Sequence, residues 1–125
     1  MIIYADSLIE FKWFQGLNKN FYDSKYIKIE GRNNNPPVIE EIIKYDRPDI
    51  ILVDEKEHKP LLVLEKTREV PSGHNVGQRM ARMVRAAEMN VPFIFFIPFR
   101  ARKHGQMTQI LNMNQRIIFI FSICN

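Results

Sequence analysis

A chain of 125 residues and 14.8 kDa holds one compact domain of ordinary size and leaves no room for a two-domain enzyme. Hydrophobic residues at 46% and charged residues at 26% give a globular balance, too apolar for a disordered tail, so a core is expected. The net charge of +4 is unevenly placed: residues 1–64 carry nine Lys/Arg against eleven Asp/Glu, and residues 65–125 carry nine against three, which makes the second half the one to meet an anion.

One cysteine, Cys124, excludes an internal disulfide framework, and His58, His74 and His104 are too scattered to supply zinc-ligand spacing. The apolar run from Val91 to Phe99 contains two prolines and is about half of what a bilayer crossing needs. The opening MIIYADSLIE reaches an acid at its sixth position without a basic n-region, so no secretory signal is predicted and a cytoplasmic location is expected.

Ser7 with Glu10 three residues later is a capping-box pattern, and Leu8, Phe11, Trp13, Phe14 and Leu17 predict a helix up to Gly16–Asn18. KYIKIE over residues 25–30 alternates as a strand with one wet face, and GRNNNPP breaks it. Val38, Ile39, Ile42 and Ile43 share one face of a short helix, and a turn follows at Asp46–Pro48. DIILV at 49–53 and LLVL at 61–64, joined by a charged connector, predict adjacent antiparallel strands. Residues 67–75 read as a loop. From there to Asn90, Val76, Met80, Met83, Val84 and Ala87 recur at helical spacing, with Gln78, Arg79, Arg82 and Arg85 as the polar face. A buried strand over 91–99, a basic loop over 99–105, a helix around 106–112 and a last strand over 116–123 complete the chain. The order predicts an α/β fold, a single domain over residues 1–125 with a central mixed sheet flanked by helices.

The informative stretch is RPDIILVDEKEHKPLLVLEKT, in which Asp49 opens one strand after Pro48 and Glu65 closes the next. Side chains alternate faces along a strand, so Glu65 and Thr67 point one way while Leu64 and Lys66 point the other. Two carboxylates at one sheet edge suit a hard divalent cation, which takes oxygen ligands, and Asp49, Glu65 and the backbone carbonyl of Lys66 make a candidate set.

These residues resemble the PD-(D/E)XK nuclease superfamily, which includes many type II restriction endonucleases. Pro48 and Asp49 match the start of its motif, Glu65 the acidic position and Lys66 the free position, while Thr67 stands where the family has lysine. The order of elements over residues 7–98 also looks like the restriction-endonuclease-like core, αβββαβ, with 31–47 as an insertion.

The resemblance implies a Mg²⁺-dependent DNA endonuclease, with Mn²⁺ able to substitute and no small-molecule cofactor. Asp49 and Glu65 would hold the ion, and Thr67 would orient a water or the metal shell. Arg79 or Lys66 would replace the lysine charge, and Gln78 would border the site as a helix glutamine does in some of these families. Glu10 is a further acid of the kind some relatives use. It implies a homodimer and no membrane, and at this length a minimal or C-terminally truncated form.

Phosphate contacts are expected from Arg79 and Arg82 on the helix, from Arg100, Arg102 and Lys103 in the basic loop, and from His74 and Asn75 just before the helix amino terminus. Glu65→Ala is expected at this point to abolish cleavage with the fold nearly intact. The alternative is a non-catalytic nucleic-acid-binding or subunit-interaction module that keeps the nuclease fold, for which Thr67 is the best support.

Overall fold

The computed structural model describes residues 1–67, 73–98 and 116–121. Its first element is one that the sequence pattern does not announce. Ile2–Ala5 is a strand, β1, with every residue buried. Helix α1, Leu8–Gln15, follows from a Ser7 cap whose side chain accepts from the Glu10 N–H, and Phe11 and Phe14 form its buried stripe. A 3₁₀ turn at Lys19–Phe21 leads to β2, Lys25–Lys28, mostly exposed. Helix α2, Pro37–Ile42, has proline in its first turn, where a missing N–H costs nothing, and buries Ile39 and Ile42.

Strands β3, Ile50–Val53, and β4, Pro60–Lys66, form the expected antiparallel pair, with Ile50 opposite Leu64 and Ile51 opposite Val63. Asp54 shapes the turn between them by accepting the Lys56 and Glu57 N–H groups at 2.7 and 2.9 Å. Helix α3, Gly73–Glu88, crosses over to β5, Phe93–Pro98, which is parallel to β4. It stops at Asn90, whose φ of 55° is the left-handed conformation that a helix end requires and asparagine tolerates. Strand β6, Arg116–Phe121, lies antiparallel to β5.

The six-stranded sheet runs β2-β1-β3-β4-β5-β6 and mixes parallel with antiparallel pairs, so the expected α/β class with helices on a mixed sheet is observed. The strand beside β3 is β1; β2, the strand counted from KYIKIE, sits outside β1 at the edge. One face of the sheet, with Ile2, Tyr4, Ile51, Val53 and Val63, packs against Ile39 and Ile42 of α2 and Ala86 of α3. The other, with Ile3, Ala5, Ile50, Leu52 and Leu64, packs against Phe11 and Phe14 of α1. Helices therefore cover both sides, as burying both faces of a central sheet demands.

Because β1 is interior, its side chains are core despite lying at the amino terminus. Ile3 is fully buried, so Ile3→Ala is expected to cost about 2–5 kcal/mol, seen as a lower urea midpoint with an unchanged slope. A frayed terminus would tolerate that change with no shift.

Two expectations about α3 need correction. The helix begins at Gly73, so His74 and Asn75 belong to its first turn and not to a preceding loop. Its inward face is also turned from the one the apolar spacing predicts. Ala86 is buried and Met83 and Met89 pack on the core, but Met80 and Val84 are 50% and 43% exposed. The side chains of Arg79 and Arg82 are 19% and 18% exposed and lie towards the sheet. The physical reason is the carboxylate beneath them. The expected helix around 106–112, and Arg100, Arg102 and Lys103, lie outside the described residues.

Candidate functional site

The site forms where β1, β3 and β4 end together. Ala5 pairs with Ile50 and Ile50 with Leu64, so one step further along the same rows come Asp6, Asp49 and Glu65. The Asp6 N–H donates to the Asp49 carbonyl oxygen at 2.9 Å, which continues the β1–β3 pairing by one residue. Asp49 then turns its side chain onto β4, and its Oδ2 accepts the Lys66 N–H at 2.7 Å. Val63 and Thr67 direct their N–H groups to the Pro92 and Phe96 carbonyls on the β5 side, so Lys66, between them in alternation, presents its backbone groups towards Asp49.

Strand alternation separates the motif residues as the sequence implies. Glu65 and Thr67 are both buried, and Lys66 projects to the opposite face, where its Nζ lies 4.1 Å from the centre of the Trp13 ring. The Lys66 ammonium is therefore on the wrong side of the sheet to replace the motif lysine beside Glu65. Of the two substitutes considered, Arg79 is the one brought to Glu65, with Nε 3.3 Å from its Oε1. Arg82 joins it: Nη1 pairs with the same Glu65 oxygen, and Nε donates to Asp46 Oδ2 at 2.8 Å.

Arg79 and Arg82 are thus already engaged with carboxylates. Arg85 is likewise engaged, donating to the Glu41 carbonyl at 2.7 Å and pairing with the Glu41 and Glu88 carboxylates. Gln78 is exposed. Asp46 and Asp6 were not singled out by sequence. Nothing local marks either one: the four apolar residues before Asp6, IIYA, have no period of their own, and the partner of Asp46 lies 36 residues away.

The Glu65 side chain is 3% exposed, and its Oε2 is buried with no hydrogen-bond partner among the described residues. Burial, and then the charge of Asp49, push its carboxyl up to about 7 against the pull of Arg82 and Arg79. Asp49 is raised as well, first by burial, with Glu10 and Asp6 adding to it and the Lys66 N–H and Arg82 opposing.

An acid that holds its proton more tightly when folded binds more protons folded than unfolded between its two pKa values, so stability falls as pH rises through that interval. For Glu65 the window runs from its ordinary 4.5 to about 7. Urea titrations across it are expected to lose up to about 3 kcal/mol with rising pH, and Glu65→Gln should remove most of that slope. A slope of opposite sign would show that the arginines outweigh burial.

The oxygens suit a hard divalent cation: the Asp49 carboxylate, the unpartnered Glu65 Oε2 and the Lys66 carbonyl. No group of three or more His, Cys, Asp or Glu among the described residues is arranged to hold a metal. Any ion here would rest on two carboxylates and complete its shell with water, backbone oxygen and substrate, the pattern magnesium favours. Among the described residues no helix is long and apolar enough to cross a membrane. No protein-family model matches this chain, and no curated protein or solved structure matches it either.

Proposed function

We propose that this chain is a Mg²⁺-dependent DNA endonuclease domain of the restriction-endonuclease-like kind. The observation that carries the reading is the pair of a half-buried Asp49 and a buried Glu65, opposite one another where β3 begins and β4 ends, with one Glu65 oxygen unpartnered among the described residues. The segment β3-β4-α3-β5, an antiparallel pair followed by a helical crossover to a parallel strand, is the part of the fold that supports the family resemblance.

A bound Mg²⁺ would polarise the scissile phosphate and acidify an attacking water. The protein's own part is to orient and to balance charge. Lys66 N–H holds the Asp49 carboxylate in one position, so that oxygen geometry precedes the ligand. Arg79, a fifth exposed and already beside Glu65, supplies the positive charge that Thr67 lacks. Thr67, on the Glu65 face, offers a hydroxyl for hydrogen bonding and no charge.

The test is incubation of the chain with supercoiled and linear DNA in Mg²⁺, Mn²⁺ or EDTA. Discrete fragments that require the metal are expected. Their absence from a folded protein under every condition would favour the second reading, a non-catalytic binding or interaction module, which the neutral Thr67 and the engagement of both arginines with Glu65 support.

A further inference from the structure

We infer that Arg82, tethered by Asp46, is a built-in counter-ion for Glu65 that gives way when a divalent cation enters between Glu65 and Asp49. The inference rests on the metal-dependent reading of these carboxylates. Its starting point is an asymmetry: Glu65 Oε1 carries both Arg82 Nη1 and Arg79 Nε, while Oε2 is buried without a hydrogen-bond partner among the described residues. A bare carboxylate in this position would be costly, because the ion is out of water with a second acid beside it. The two guanidinium groups meet that charge in the protein without metal.

A divalent cation brings its own positive charge to the same oxygens, so guanidinium and metal compete for Glu65. Arg82 is built to yield without being stranded. Its Nε is held by Asp46 Oδ2 at 2.8 Å, and Asp46 is itself fixed through Oδ1 by the Arg47 N–H at 2.8 Å. When Nη1 leaves Glu65, the Asp46 bond retains the guanidinium and neutralises it. Arg82 is therefore a positioning residue, and Asp46 sets how firmly it bears on Glu65.

The test is Mn²⁺ binding to the whole chain, followed by electron paramagnetic resonance at mildly alkaline pH, where proton competition for Glu65 is weakest. Circular dichroism checks each variant for folding. Arg82→Gln is expected to bind Mn²⁺ about tenfold more tightly, since one competing charge is gone. Asp46→Asn, which leaves Arg82 to bear on Glu65 alone, is expected to weaken binding about threefold. Opposite shifts from two neighbouring changes are not what general loosening of the site would produce.

Arg79→Gln should tighten binding in the same sense and stands in if Arg82→Gln does not fold. Unchanged or weaker Mn²⁺ binding in the folded arginine variant overturns the inference. Asp49→Asn separates the two levels: if it loses the ion while the arginine variant gains nothing, the metal site stands and the counter-ion role falls. If neither the natural sequence nor any variant binds Mn²⁺, both fall together.

Discussion

Glu65→Ala is expected to lower folding stability by about 2–5 kcal/mol, because it empties a buried position and removes the oxygen on which the half-buried Arg79 and Arg82 guanidinium groups both converge. Arg79 loses its described ion-pair partner, and its Nη1 is already buried without a hydrogen bond among the described residues. Arg82 keeps Asp46, which places the loss towards the lower end of that interval. Urea denaturation reads it directly. That outcome would run against the expectation from sequence that this substitution leaves the fold nearly intact, because Glu65 is buried and paired with Arg79 and Arg82. A Glu65→Ala protein as stable as its parent would mean that both arginines reach water and that the inward geometry of α3 is not maintained.

If the proposed nuclease reading holds, Asp49→Asn is expected to lower Mg²⁺-dependent cleavage by at least about a hundredfold, with stability little changed. Asparagine retains an oxygen at the position of Oδ2 and so still accepts the Lys66 N–H, but a neutral amide is a poor ligand for a hard cation beside a buried glutamate. Asp49→Ala mixes the two consequences, since the Lys66 N–H then loses its partner as well. Comparing cleavage and urea midpoints for the two variants separates ligand loss from structural damage. Cleavage by Asp49→Asn at the parental rate would remove Asp49 from the active site and, with it, the nuclease assignment.

Much of the architecture was legible because its signals are local. The Ser7–Glu10 cap, the alternation of β4 and the stop at Asn90 each depend on residues within a few positions of one another, and each lies where the pattern indicates. Strand β1 was not legible, since four apolar residues have no period of their own and become a strand by gaining neighbours on both sides. The start of α3 was missed for a related reason. Gly73, His74 and Asn75 are weak helix formers that read as a turn, yet the helix begins with them.

The rotation of α3 is the most instructive departure. Apolar spacing alone places Met80 and Val84 inward and the arginines outward, whereas Arg79 and Arg82 face Glu65 and Asp46. Hydrophobicity orients a helix by the area it buries, but a buried carboxylate adds a directional requirement worth more than one exposed methionine.

By itself the sequence determined the class of fold, the antiparallel β3–β4 pair and the division of Glu65 and Thr67 from Lys66, because strand alternation is a property of the backbone. Only the tertiary structure decided which strand lies beside β3, that Asp6 and Asp46 belong to the neighbourhood of the site, and that two arginines meet Glu65. Those choices join residues far apart in the chain, where the cost of an unpaired buried charge, and not any local preference, selects the arrangement.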